Sequence, residues 1–600
     1  MLSKSWRGGF KRSFEEITGT RLGKPSDTEN QQNSDPSSSS SSNSSPDGSK
    51  FRKLMAQYFL TNKLSAMQTY DLAAAAKDAG AKNSDDIAKC GASGTNPNNV
   101  HRDMLRKFLK DTRWPQEYWA PVEVLDPDTN ELATVSFPFL LPHEVLHHLN
   151  KENPRALESY AADPASPLGR AVVESCSKAG LNPTTTLPIG LHGDGAPFAA
   201  KMKDSLEQFS WNLCSQPTSI RIVFTAIPKK FVGPKTMEDI LSIFTWSMKC
   251  LKDGLMPDCR HDGSEFEQTD RKKGSSSNKS RAQLAGSVIG CTACLVQVRG
   301  DWAFYKAVFH LPSWSSEQIC WLCKATRPIG SVFDFRGKAW RGARYSHGEF
   351  VALLLQAQCL SIIFGCPGFE LKCILIDWLH AVDLGVGQTV IGNLFNEICE
   401  LLPGSTRKER VDALWLKMKA WYKIHKPSSR LDNLTVEMIK QPGKKPKLRS
   451  KAGECRYLIP FAAELANEFD DGSCHRNTVN VLLQNFLEMS NCLSTEPYDH
   501  QKAAAACNKV CRLHVALEQL SRANGDDLSW CCKPKLHMME ELICFVGPEF
   551  GSPRHFWTYQ DESWGSWLAN AATRRGGPKY AASCALNLLQ RYRAVVSNDI

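Results

Sequence analysis

The 600 residues carry 73 basic and 63 acidic side chains, a formal net charge of +10, and 42% hydrophobic residues. That length exceeds one simple core and that apolar fraction excludes a wholly disordered chain, so several folded units with a mild preference for polyanions are expected. Twenty-two cysteines in so long a chain, behind a start (MLSKSWRGGFKRSFEEITG) without the apolar stretch of a signal peptide, read as intracellular, reduced thiols rather than a disulfide framework.

Residues 1–50 form a basic, Ser-rich tail that cannot bury a core. Residues 51–115 follow with helical patterning (FRKLMAQYFL, SAMQTYDLAAAAKDAG, VHRDMLRKFLK), a small helical unit with basic flanks that suits either DNA reading or simple bundle packing. Residues 116–180 connect this unit to the next region.

Strand-like runs come next, at Leu187–Asp194, Phe209–Cys214, Ser219–Ile227 and Ser287–Arg299. Ile220, Ile222, Phe224 and Ala226 alternate as in a half-buried strand. Thr236 with Asp239 predicts a capping box for a helix whose stripe runs through Leu241, Phe244, Met248 and Leu251 to a stop at Gly254. RKKGSSSNKSR, residues 271–281, reads as a polar loop, and Trp302–Phe309 as a further helix.

Residues 311–530 read mainly as helices, and the apolar stretch Val351–Gly365, broken by Gln356 and Gln358, as a buried helix rather than a membrane span. Within them KQPGKKPKLRSK holds Lys440, Lys444, Lys445, Lys447, Arg449 and Lys451 with no acidic residue, a candidate phosphate-contacting or nuclear-import segment. Arg574 and Arg575 add a second basic pair near the end.

Chemistry concentrates in five motifs. LPIGLHGDGAPF sets Asp194 between two glycines, the pattern of a carboxylate at a strand end and equally of an Asp-Gly hairpin turn. VRGDWAFYKAV places Asp301 after a strand, where it also reads as a helix N-cap. ICWLCKA spaces Cys320 and Cys323 as half of a tetrahedral zinc site. IDWLHAVDLGV holds Asp377 and His380, and FWTYQDESWGSW holds Asp561 and Glu562. Aromatic and basic residues around the acids, from Trp302 to Trp567, suit base stacking and phosphate pairing as well as core packing.

In order and spacing these motifs resemble the catalytic half of CACTA (En/Spm-type) transposases, a branch of the DDE cut-and-paste enzymes, over Leu187 to Arg575. The resemblance implies an α/β fold: an RNase H-like mixed sheet, residues 181–310 and 531–600, interrupted by the helical insertion 311–530 and preceded by a mainly helical N-terminal region. It implies a nuclear DNA endonuclease and strand transferase, transposon-derived, that uses Mg²⁺ or Mn²⁺ on Asp194, Asp301 and Glu562. Asp377 and Asp561 stand as alternative acids, and a domesticated, inactive DNA- or protein-binding scaffold as the alternative function. Partners would be transposon-end and target DNA and further copies of the chain, with no membrane. A histidine shortly before the last acid, here His537, would join Cys320 and Cys323 on zinc, with His380, Cys291, Cys294, Cys531 and Cys532 open as the fourth ligand. Asp377 and His380 would form a structural pair.

Overall fold

The computed structural model describes residues 46–81, 84–92, 98–109, 114–198, 204–216, 221–266, 275–327, 331–572 and 580–597. Most of the expected tail, residues 1–45, falls outside them, as do Arg574 and Arg575. The fold is mixed α/β, with small sheets and many helices.

A two-stranded antiparallel hairpin, β1 (Tyr118–Leu125) and β2 (Leu132–Phe139), occupies the region expected to be a connection. The central sheet has four strands: β3 (Thr186–Phe198), β4 (Asp204–Leu213), β5 (Ile222–Pro228) and β6 (Thr292–Gly300), in the order β5-β4-β3-β6. β3 runs antiparallel to β4 and parallel to β6, so the chain must cross over between β5 and β6. Helix α1 (Thr236–Asp253) supplies part of that crossover.

The sheet is covered on both faces. Phe224 of β5 meets Phe244 of α1 edge to face at 5.4 Å, and Phe209 of β4 meets Phe304 of α2 (Trp302–Phe309) at 5.9 Å. On the opposite face α5 (Tyr559–Ala572) comes so close that a Cβ on Gly565 would lie 2.1 Å from the Gln208 amide. α6 (Ala581–Ser597) packs beside it and Tyr592 donates to the Arg221 carbonyl. β5 is therefore buried along its whole length rather than half-buried, because both of its faces are roofed by helices.

Other expectations are revised by packing. The Thr236 hydroxyl is claimed by tertiary partners, donating to the Glu123 carbonyl and accepting from Gly233 N–H, so no capping box forms. Gly254 does end α1, at φ +68. The described part of the 271–281 segment belongs to a helix, Ser275–Leu284, and Arg281 is buried against Glu144 rather than solvated. Val351–Gly365 is not one buried helix: the helix His347–Gln356 stops before Gln358, which takes φ +53, and Leu353 and Leu355 stay exposed.

Between α2 and α5 lies the helical region, including α3 (Gln388–Leu401) and α4 (Pro534–Glu541). A π-helical stretch, Leu379–Gly387, runs directly into α3. The N-terminal helices close their core on Ala594 and Val595 of α6. Among the described residues no helix is long and apolar enough to cross a membrane.

Candidate active site

Asp194 is neither a hairpin turn nor a strand end. β3 continues through it to Phe198, and Asp194 pairs with Gln208 of β4. The neighbouring parallel strand β6 is what ends here, with Gly300 opposite Gly193. Asp194 and Asp301 consequently sit side by side and line the same cleft of about 390 Å³. Gly193 and Gly300 are required for this approach. A Cβ on Gly193 would stand 2.0 Å from the Phe304 ring, and one on Gly300 2.6 Å from the Gly193 carbonyl oxygen.

Asp301 caps a helix and borders the cleft. Its Oδ1 accepts from Phe304 N–H at 2.6 Å and caps α2, while among the described residues Oδ2 makes no hydrogen bond. It also borders a second cleft, of about 490 Å³, shared with Asp377 and His380.

α5 brings the late acids to the sheet and separates them. Asp561 turns into the core, where Arg221 binds it with Nε at 2.8 Å and Nη2 at 3.1 Å, and Arg299 lies at 3.4 Å. Burial opposes its ionisation, but the two guanidinium charges outweigh burial and hold the carboxyl well below the usual range. Glu562, one position round the helix, faces Asp194. Burial, then the Asp194 charge, push the Glu562 carboxyl up to about 8. Two acids held this close favour one proton or one cation between them.

Asp377 is fixed by four hydrogen bonds. His380 approaches it through Nδ1 at 2.7 Å and its own backbone N–H at 2.9 Å; Thr558 donates its backbone N–H at 2.9 Å and its hydroxyl at 2.8 Å. Asp377 thus ties the π-helical stretch to the residue before α5. Burial opposes charge on His380, but Asp377 outweighs it and raises the imidazole to about 9. The other imidazole nitrogen points to Glu562.

Cys320, Cys323, His537 and Glu541 form a separate, fully buried group, with ligand atoms all within 4.8 Å of one another. Cys323 Sγ lies 3.3 Å from His537 Nε2. Hydrogen bonds from Cys323 and His537 overcome burial to hold the Cys320 thiol well below its usual range; the contact with Cys320, reinforced by burial, pushes Cys323 up. A tetrahedron with bonds of about 2.0–2.3 Å needs edges of roughly 3.3–3.8 Å, and two sulfurs, an imidazole and a carboxylate are a zinc donor set. His380 is not part of this group, being engaged with Asp377 and Glu562. Cys294 is also elsewhere, with Cys176 at 4.0 Å, and Cys531 donates to the Asp527 carbonyl. Sequence reasoning missed Glu541, although it follows His537 by four residues on one face of α4.

The basic segment is docked rather than free. Leu448 N–H donates to the Gln388 carbonyl, and a Cβ on Gly392 would meet the Lys447 Cα at 2.5 Å. Lys447 consequently borders the larger cleft together with Lys533 and Lys535, two lysines that sequence reasoning did not single out. Burial, then neighbouring positive charge, lower all three ammonium groups, Lys535 to about 8. Lys444, Lys445, Arg449 and Lys451 remain exposed on the same segment, and Lys440 is half-buried. No protein-family model and no curated protein matches the chain.

Proposed function

We propose that this chain is a DDE transposase-type nuclease and strand transferase acting on DNA phosphodiesters, with Asp194, Asp301 and Glu562 as its acidic triad. One observation carries the reading: Asp194 shares a cleft with Asp301, at the end of β6, and faces Glu562 of α5, though the three acids lie far apart in sequence. The strand order, with β3 antiparallel to β4 and parallel to β6, supports an RNase H-like core.

Mg²⁺ or Mn²⁺ held by these oxygens would supply charge neutralisation at the attacking and leaving oxygens of the transferred phosphate. The chain's own residues do the rest. Asp561, neutralised by Arg221 and Arg299, anchors α5 so that Glu562 faces Asp194. Asp377 fixes both His380 and Thr558, which sets the start of α5 relative to the strand ends. Zinc on Cys320, Cys323, His537 and Glu541 would tie the segment after α2 to α4.

The test is nicking of supercoiled DNA by the purified chain in Mg²⁺ or Mn²⁺, with and without Asp194→Asn. Divalent-dependent nicking that disappears in a folded Asp194→Asn protein is expected; equal nicking by the variant sinks the triad. A second reading, a DNA-binding scaffold without catalysis, draws on one contact, the His380 imidazole beside Glu562. DNA binding with no nicking by the unsubstituted chain in either metal would favour it.

A further inference from the structure

We propose that the cleft bounded by Asp301, Trp314 and Lys533 seats one unpaired nucleotide of a DNA strand, its base on Trp314 and its phosphate on Lys447, Lys533 and Lys535. The choice of DNA rests on the phosphodiester reading above; the pocket itself rests on four separate features.

The first is the aromatic wall. Trp302, Trp314 and Trp321 line one side of the cleft. Trp302 is fixed by its Nε1–H donating to the Pro312 carbonyl at 2.8 Å, and it meets both other indoles edge to face at 6.1 and 6.4 Å. Trp314 is the outer member and remains 46% exposed. An indole braced on one side and open on the other is a stacking platform.

The second feature is the cationic wall. Lys535 Nζ donates to the His380 carbonyl at 2.7 Å and Lys533 Nζ to the Thr389 hydroxyl at 3.3 Å, both neutral acceptors. Among the described residues neither these two nor Lys447 has a carboxylate within ion-pair distance. Two glycines make the gathering possible. A Cβ on Gly385 would lie 2.7 Å from Lys535 Cδ, and one on Gly392 2.5 Å from Lys447 Cα. Three ammonium groups without an ion-pair partner, with the Asp301 and Asp377 carboxylates of the same cleft only at longer range, form an anion site.

The remaining features are size and continuity. About 490 Å³ accommodates a nucleotide-sized ligand but leaves no room for duplex, so a base must leave the helical stack to reach Trp314. The cleft touches Asp301 at one side. At the other, Lys447 leads into a second depression lined by Arg449 and Lys451, a basic path for the strand. A phosphate-only ligand would leave the indoles without a role, and an acidic peptide would bring carboxylates beside Asp301 and Asp377.

The experiment measures fluorescence anisotropy of labelled DNA with the full chain, without divalent cation so that no cleavage intervenes. The probes are a blunt duplex and the same duplex with an unpaired tail carrying 2-aminopurine. The expected result is about tenfold tighter binding of the tailed probe and quenching of 2-aminopurine. Trp314→Leu should lose the quenching, and Lys533→Gln with Lys535→Gln the tail preference, with blunt-duplex affinity and melting temperature retained. Equal affinity for both probes in the unsubstituted chain, or an undiminished preference and quench in the variants, overturns the proposal. Tail preference without nicking in any metal would discard the phosphodiester reading and keep the pocket; nicking without tail preference would discard the pocket alone.

Discussion

His380 Nε2 lies 3.6 Å from Glu562 Oε1. One imidazole therefore faces the third acid of the proposed triad while its other nitrogen is held by Asp377 at 2.7 Å. This arrangement links protonation of the site to stability and, on the proposed reading, to cation binding.

The pH dependence has a definite sign. His380 is raised from 6.5 to about 9, so its contribution is complete below about 6.5 and lost as pH rises through 9. Glu562 is raised from 4.5 to about 8, so its proton stabilises the fold below about 4.5 and that contribution is lost as pH rises through 8. In metal-free protein both act in one direction, and the melting temperature should fall between about pH 4.5 and 9. Glu562→Gln should flatten the lower part of that slope and His380→Gln the upper part. Added Mg²⁺ should raise the melting temperature most at the alkaline end, where Glu562 has lost its proton. A pH-independent melting curve that ignores Mg²⁺ would contradict the placement of both groups.

Asp561 and Glu562, adjacent in sequence, should behave oppositely in urea unfolding. Asp561→Ala strands Arg221 and Arg299 in the core and should cost about 3–5 kcal/mol. Glu562→Gln removes an acid facing Asp194 and should be neutral or stabilising near pH 7, while abolishing nicking. The reverse ranking would mean that α5 presents the other acid to the cleft.

Gly193→Ala tests the strand approach. Its methyl group would enter the Phe304 ring, and the overpacking should cost about 1–3 kcal/mol. Phe304→Leu combined with it should recover part of that loss, measured as a coupling energy in a double-mutant cycle. Simple additivity of the two changes would show that the ring does not set the spacing.

Metal analysis of the purified chain should find about one zinc per chain, bound by two cysteines, a histidine and a glutamate. Chelation, Cys320→Ser or Glu541→Gln should lower the denaturant midpoint, by about 2.7 kcal/mol of stability if zinc normally stands at 100 times its Kd. Cys176→Ser, in a different thiol pair, should leave zinc content unchanged. Full zinc retention in Cys320→Ser would exclude the cluster.

The local signals were readable in the chain itself. Apolar runs located β3 to β6 but not the hairpin β1–β2, which lies in the stretch read as a connection; Gly254 ended α1, and Asp301 caps α2 as its position suggests. Spacing joined Cys320 to Cys323, and the same rule applied to His537 would have reached Glu541. These features are local because helix periodicity, capping and ligand spacing act over a few residues.

Only the tertiary structure decided the rest. Asp194 lies within β3 rather than at its end because β4 pairs with that strand as far as Phe198, while β6, a hundred residues on in sequence, stops beside it. Asp561 is fully buried and Glu562 only half-buried because Arg221, just before β5, and Arg299 of β6 both reach Asp561. Lys447, Lys533 and Lys535 share a wall because Gly392 and Gly385 let their backbone and stem come close, a steric permission that composition does not express. The sequence by itself determined which residues carry chemistry; packing between distant segments determined which of them face each other, since burial and charge pairing depend on neighbours that local pattern does not name.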